Sequence, residues 1–409
     1  MDILPILSTL RRHKITALLV ILEIALTCAI VCNAVFLISQ RIDRIHMPSG
    51  IAEHELLHIE LANIGAKADE KARTAADMAA IRQIPGVTAV AAVEQVPFGN
   101  SSNNSGIKID PKQNKSTLNA TNYFGENVAE TLGVQLVAGR FLQSDEYVDL
   151  EDAIKAFAAG ESNSKALPHS VVITQAMAER LWPGQQALGK QLYMGSELPL
   201  TVVGLMKTLV RPSIWDDSAA QYSMVIPIRV NSGQYVIRTA PQDRDRVLKT
   251  ALEKLKLINP NRVVLKKRTW DEVREKFFQN DRAMTGLLVG VCIALLVVTA
   301  LGIVGLGSFW VAQRRRQIGV RRALGATRRH ILHYFQTENF LLATIGIAIG
   351  MVLAYGINLF LMTHYELPRL PAIYFPVGAV LLWLIGQAAV LGPAMRAAAV
   401  PPVVATRSV

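Results

Sequence analysis

Four stretches of the chain, residues 15–38, 284–312, 339–363 and 372–395, are apolar almost without a break. Each is at least as long as the roughly 20 residues that a helix needs to cross a bilayer. One charge, Glu23, falls inside them. Between the first two lies a long segment of ordinary polar composition with shorter periods. Residues 55–61 alternate as a strand, residues 74–84 carry apolar positions at helical spacing, and Pro85-Gly86 stops that helix before a strand over 87–96. The same order returns later: a strand over 234–239, an amphipathic helix over 242–257, the turn Asn259-Pro260-Asn261 and a strand over 262–267. Two β-α-β units at the two ends of one domain predict a split α+β module, over residues 50–115 and 221–270, whose ends return together. That arrangement lets the first two spans start from neighbouring points.

Residues 116–220 read as a subdomain inserted in this module. A helix is expected to begin at Asn122-Tyr123-Phe124-Gly125-Glu126 and to lead into residues 132–141; the acidic stretch 145–164 reads as mobile. A strand over 170–174, a helix over 175–181 and a strand over 200–205 complete it. The expected fold is an α-helical membrane protein with four transmembrane helices plus a large α+β extracytoplasmic domain.

Composition agrees: 51% of residues are hydrophobic and 18% charged, against about 25% charged in soluble domains. The net charge of +11 would suggest nucleic acid if it covered a folded surface. It does not, because residues 39–283 hold 30 basic and 28 acidic side chains, whereas the loop 313–338 holds seven arginines and ends in one acid. Further basic residues sit at Arg11, Arg12 and Lys14 and at Arg396 and Arg407. Short basic loops stay on the cytoplasmic side while large domains cross regardless of charge. Both termini (1–14 and 396–409) and the loop are therefore expected inside, with residues 39–283 outside. The basic start resembles a secretion signal, but the apolar run is 24 residues and no small-residue cleavage site precedes Arg41-Ile42-Asp43-Arg44, so a retained span is expected.

Cys28, Cys32 and Cys292 all lie within spans, so no disulfide framework is expected outside, where the domain is large enough to build a core without one. Cys28 and Cys32 share a helix face and read as packing residues. Gly286-x-x-x-Gly290 and Gly346-x-x-x-Gly350 would allow close helix approach. Glu23 is expected to face another helix or to snorkel to the cytoplasmic surface.

No catalytic constellation emerges. Gly184-Gln-Gln-Ala-Leu-Gly189-Lys190-Gln191 matches a phosphate loop except that Gln stands where magnesium needs Ser or Thr. It follows a helix ended by Leu181-Trp182-Pro183, so its glycines read as turn residues. His54 and His58 are four apart, but on a strand this spacing builds no metal site, and no third ligand stands near. A serine elbow is absent. The expectation is a chain that is not an enzyme and has neither cofactor nor metal of its own.

The informative element is the loop Gln313-Arg-Arg-Arg-Gln-Ile-Gly-Val-Arg-Arg-Ala-Leu-Gly-Ala-Thr-Arg-Arg-His-Ile-Leu332, followed by Phe335-Gln-Thr-Glu338. An orientation signal that also binds anionic lipid accounts for the arginines. It leaves Ile318, Gly319, Ala323, Leu324, Gly325 and Ala326 without a purpose. A short helix with a compact apolar face and an arginine rim suits docking in a groove on another protein.

Residues 316–331 resemble the coupling segment of the FtsX/MacB permease superfamily, the type VII ABC transporters, and Gly392-Pro-Ala-Met-Arg-Ala-Ala-Ala-Val-Pro-Pro-Val403 is similar to that family's closing P-A-x-x-A-A-x-x-x-P motif. Gly139-Arg140-Phe141, Val171-Val-Ile-Thr174, Ala178 to Gly184, Ala187-Leu-Gly-Lys190 and Val202-Val-Gly204 resemble the MacB periplasmic core domain. The resemblance implies a bacterial inner-membrane permease whose periplasmic part is a porter-like module with an inserted subdomain. It places ATPase coupling on Arg316, Gln317, Ile318, Gly319, Arg321, Arg322, Ala323, Leu324, Gly325, Ala326, Thr327 and Glu338. MacB carries its ATPase at the N-terminus; this chain begins fourteen residues before its first span, so ATP and magnesium are expected on a separate ABC ATPase dimer.

The family usually has Glu where this chain has Gln317, which raises a heterodimer of two unlike permeases beside a homodimer. Membrane lipid is a further partner, and nucleic acid is not. In this family ATP hydrolysis moves the outer domain, a mechanotransmission that implies export of peptides, antibiotics or other small molecules from the periplasm towards an adaptor and an outer-membrane duct. Release of lipoproteins, and an FtsX-like scaffold controlling a cell-wall hydrolase, are the alternatives.

Overall fold

The computed structural model describes residues 14–63, 69–101, 103–160, 164–195, 198–214, 217–365 and 369–401. Arg11, Arg12 and Arg407 lie outside the described residues. The chain divides into two units, His46–Gln279 and Met1–Ile45 with Asn280–Val409. In chain order, helix α1 (Lys14–Ile45) precedes β1 (Leu56–Asn63), α2 (Glu70–Arg82) and β2 (Val87–Ala92). Next come β3 (Asn104–Lys108), β4 (Leu118–Tyr123), α3 (Val128–Leu132), β5 (Leu136–Gly139), β6 (Val148–Asp149) and α4 (Leu150–Ala158). They are followed by β7 (Ser170–Thr174), α5 (Gln175–Leu181), β8 (Gln191–Met194), β9 (Leu198–Met206), β10 (Ser223–Val225) and β11 (Ile228–Arg229). Then come β12 (Gln234–Thr239), α6 (Arg244–Ile258), β13 (Arg262–Thr269) and α7 (Trp270–Phe277). Helices α8 (Gln279–Gln313), α9 (Arg315–Ala323), α10 (Arg328–Tyr365) and α11 (Tyr374–Ala398) end the chain.

In the unit His46–Gln279, the two β-α-β units interleave into a four-stranded sheet of order β13-β1-β12-β2, the ferredoxin-like split arrangement. Alternation explains the layering. Leu57, Ile59, Tyr235 and Ile237 turn one face towards Ile81 of α2 and Val247, Ala251 and Leu255 of α6. Leu56 and Val236 join Trp270 in a second cluster. The first face holds a buried ionic cluster in which Arg262 Nη1 and the Tyr235 hydroxyl both donate to Asp77 Oδ2 at 2.7 Å. Burial, and next the charge of Asp77, push the Tyr235 phenol well above its usual range.

A second sheet of order β5-β9-β7-β10-β4-β3-β8 has an additional β9–β8 pairing. Six of its strands therefore close into a ring, which removes most of the exposed sheet edge. β9 makes this possible because it is long and alternates buried and half-buried along all nine residues, pairing with β8, β7 and β5. β3 and β10, which lie on either side of residues 116–220, both belong to this sheet.

Two expectations are corrected. Asn122 and Tyr123 end strand β4, and the helix begins only at Val128; Tyr123 is sealed in the core with its hydroxyl donating to the Val210 carbonyl at 2.6 Å. The described part of the acidic stretch is ordered. On α4 the charged Glu151, Asp152 and Lys155 are exposed while Ala153 and Ala156, three apart, are buried. Arg140 anchors its start through Glu146 at 2.7 Å and, with backbone bonding to Gln143, holds that carboxyl down at about 2.

In the other unit, four helices among the described residues, α1, α8, α10 and α11, are long and apolar enough to cross a membrane. Their core joins Val20, Ile24, Cys28 and Cys32 of α1 to Ile303, Ala343, Ile347, Ala379 and Leu382. Gly346 and Gly350 let α10 approach α1: a Cβ at either would lie under 3.0 Å from Ile24 or Cys28. Among the described residues, Gly286 and Gly290 meet nothing within 4 Å. Cys28 and Cys32 are buried packing residues with free thiols. Glu23 turns its carboxylate onto α8, where a side chain at Gly302 would meet it at 2.5 Å. Thr27 and Thr299 share a hydrogen bond at 2.8 Å, and Arg41 reaches Asp281 at 2.6 Å.

Candidate functional site

Between α8 and α10 the chain makes one short helix, α9, and two breaks hold it in place. At the first, Arg314 leaves the α8 path and buries its guanidinium. Its Nη1 donates to both oxygens of Glu338 at 3.1 and 3.0 Å, and the cation lies 5.5 Å from the centre of the Trp310 ring. The acid that ends the arginine loop is thereby paired with Arg314.

At the second break, Gly325 adopts φ +99°, a left-handed conformation that favours glycine. Gly325 N–H donates to the Arg322 carbonyl and Ala326 N–H to the Arg321 carbonyl, the Schellman pattern that closes a helix C-terminus. Thr327 then opens α10 by accepting from His330 N–H at 3.3 Å.

Helical spacing divides α9 into two faces. Inward, Ile318 packs with Val311, Ile331, Phe335, Ala394, Ala397, Ala398 and Val400. Burying such a side chain stabilises by about 1.5–3 kcal/mol. Gly319 is also buried. Arg322 Nη1 donates to the Ala398 and Val400 carbonyls at 2.7 and 3.3 Å, capping the end of α11. The alanines of the closing motif are small enough for this approach, so the two motifs separated in sequence form one structure. Its last residues, 402 and 403, lie outside the described residues.

Outward, Gln317, Val320, Arg321 and Leu324 follow one another at spacings of three, one and three and all are exposed. Leu324 is 83% exposed. Arg321 stands over the Tyr334 ring at 5.0 Å. Arg316, Ala323 and Thr327 are exposed beside the stripe and Ala326 is half-buried. An exposed leucine set among arginines on a helix with a fixed base is a knob suited to a partner's apolar groove with an acidic rim. Sequence reasoning grouped Ile318, Gly319, Arg322 and Glu338 with the coupling residues, whereas Ile318, Gly319 and Glu338 are buried and Arg322 turns inward onto the end of α11. It missed Arg314, whose only signal was its place in a loop containing one acid.

The other candidate chemistry separates. The Gly184–Lys190 segment connects α5 to β8, and Lys190 is spent on Gln185 Oε1 at 2.5 Å and on the Trp182 ring. His54 is exposed with Nδ1 3.1 Å from Asp271, while His58 is buried in β1. Among the described residues no three His, Cys, Asp or Glu side chains are grouped to hold a metal ion.

The MacB-like periplasmic core domain family matches residues 15–255, and the FtsX-like permease C-terminal family matches residues 289–402. An uncharacterized ABC transporter permease of Bacillus subtilis, YvrN, is 26% identical over 266 residues, covering 60% of this chain and 64% of the relative. The macrolide export ATP-binding/permease protein MacB of Chromobacterium violaceum is 26% identical over 194 residues, covering 46% of this chain and 30% of the relative. The chain thus spans less than two thirds of these relatives. The extracellular domain of the noncanonic ABC-type transporter YknZ from Gram-positive bacteria matches with a TM-score of 0.31 at 16% identity, covering 51% of this chain and 100% of that one. The periplasmic region of MacB from Actinobacillus actinomycetemcomitans matches at 0.34 and 16%, covering 57% and 97%.

Proposed function

This chain belongs to the MacB/FtsX family of ABC transporter permeases, and from that premise we propose that α9 is the surface through which ATP hydrolysis on a partner chain drives movement of the domain His46–Gln279. The exposed knob formed by Val320 and Leu324, on a helix clamped by Arg314–Glu338 and by Arg322, carries this reading. A clamped helix transmits a push; a flexible loop would absorb it.

The ATPase supplies the nucleotide and magnesium chemistry, and this chain contributes no catalytic group. The permease works as a dimer, with the exposed apolar face of α8, including Leu287, Leu301 and Phe309, available to lipid or to the second subunit. Its termini and α9 face the cytoplasm of a bacterial inner membrane and its large domain faces the periplasm. Four helices leave little room for a wide lumen. The cargo, a peptide, antibiotic or other small molecule, is therefore taken up on the outer side and expelled towards an adaptor and outer-membrane duct.

Co-purification of the ATPase with the tagged full chain tests this. Leu324→Asp places a charge where a groove closes, and an unpaired buried charge costs several kcal/mol, so recovery should fall at least tenfold with insertion unchanged. Arg328→Ala, at an exposed rim position worth about 1 kcal/mol or less, should leave recovery near normal. Full recovery with Leu324→Asp would show that α9 does not dock.

A further inference from the structure

The face of the four-stranded sheet turned away from α2 and α6 is not fully covered. Register places His58 opposite Arg268 and Glu60 opposite Lys266, so these four side chains share that face. Helix α7 and residues 95–101 wall it off into a cavity of about 190 Å³. Its lining combines the cations Lys266, Arg268 and Lys276 with the apolar Val96, Phe98 and Phe277.

Three observations mark the cavity as built for an occupant. His58 is 3% exposed, yet neither ring nitrogen makes a hydrogen bond of acceptable geometry, and neither does Oε1 of the adjoining Gln234. Gln234 lies close enough for its side chain to engage one ring nitrogen of His58; because buried polar atoms are nearly always partnered, the other ring nitrogen is left for a group that enters the cavity. Next, Lys266 is paired with Glu60 at 2.6 Å, but Arg268 and Lys276 have no ion-pair partner among the described residues. Finally, Phe98 sits at φ +62°, a conformation that bulky residues rarely adopt. It is held there by the rings of Phe277 and Phe278 at 5.1 and 5.3 Å and by Arg274 at 5.1 Å. Such strain persists where the surroundings over-determine it, commonly at ligand clamps.

We propose that this cavity binds a small amphiphilic anion, with a carboxylate- or phosphate-type head against Arg268 and Lys276 and an apolar stem against Phe98 and Phe277. Neutral His58 adds the ring nitrogen that Gln234 does not engage; burial, ahead of the nearby Lys266 and Arg268 charges, lowers its pKa to about 4. The volume is below the roughly 300–1,000 Å³ of drug-sized sites. The cavity therefore takes the head and the adjoining part of the stem, and a longer molecule would extend out of the mouth. This site is independent of the coupling surface proposed for α9.

The test is calorimetric titration of the full chain in zwitterionic nanodiscs with 4-phenylbutyrate, 4-phenylbutylamine and inorganic phosphate. Saturable binding of one 4-phenylbutyrate per chain is expected, with the amine and phosphate at least tenfold weaker and the His58 ring resonances shifted only by the first. Arg268→Gln, and separately Lys276→Gln on the exposed end of α7, should each weaken 4-phenylbutyrate at least fivefold with thermal unfolding unchanged. Equal binding of the amine, no saturable binding, or unchanged affinity in both variants would overturn the proposal. Repeating the titration in anionic nanodiscs assigns the source of the anion: competition by the bilayer supports a lipid head, and unchanged affinity supports a soluble molecule.

Discussion

Removing the carboxylate at Glu338 should free α9 from its seat. The Arg314 and Glu338 side chains are 7% and 1% exposed, and Arg314 Nη1 contacts both carboxylate oxygens. Glu338→Ala leaves a guanidinium buried without its counter-charge, which costs about 3–5 kcal/mol. At 1.4 kcal/mol per factor of ten, the open population of this segment should rise roughly 100-fold or more. Replacing both partners, Arg314→Met with Glu338→Leu, removes both charges and keeps the volume filled, a change that is often neutral for buried pairs. The assay is limited trypsin digestion of the full chain in nanodiscs, following cleavage after the exposed Arg315 and Arg316, whose rate tracks the open population when reclosing is fast. The single variant should be cut roughly 100-fold faster and the double variant within about tenfold of the unaltered chain. A double variant cut as fast as the single one would refute the claim that the ion pair, through its unpaired charge, holds α9.

Two further outcomes are expected. His58 has a folded pKa of about 4, below the roughly 6.5 of an exposed histidine, so between those values the unfolded chain binds the extra proton. Stability should be full above about pH 6.5, fall as pH drops towards 4 by up to about 3 kcal/mol, and level off below; His58→Leu should remove this slope in thermal unfolding measured against pH, and an unchanged slope would exclude His58 as its source. In intact cells an impermeant maleimide should label a cysteine placed at the exposed Asp110 and not one at the exposed Thr327; labelling of both, or the reverse, would contradict the assigned sidedness.

The split module was legible because each of its elements carries its own period. Residues 55–61 alternate and bury Leu57 and Ile59 against the helices, while Pro85-Gly86 and Asn259-Pro260-Asn261 sit at the turns that separate helix from strand. The ring closure was not legible. β3 is the short segment Asn-Ser-Gly-Ile-Lys with one buried residue, Ile107, and its place follows from pairing with β4 and β8, which no local period records. A helix is expected to begin at Asn122, yet the core bond from Tyr123 to Val210 is 87 residues long in sequence and no local pattern records it. At α9 the docking face was half legible: Leu324 is as exposed as a knob requires, but sequence cannot tell Ile318, which faces the core, from Val320, which faces out. Nor can it assign Glu338 to one of seven arginines; only the fold brings Arg314 within 3.0 Å.

The central claim is that Leu324 lies inside a partner's groove, and site-specific photocrosslinking reads this directly. A benzophenone attached to Leu324→Cys in the assembled complex should yield, on irradiation, one protein adduct containing the nucleotide-binding chain, while the same probe at the exposed Arg329 gives far less. Adducts to lipid alone from Leu324, or equal yields from both positions, would contradict the account.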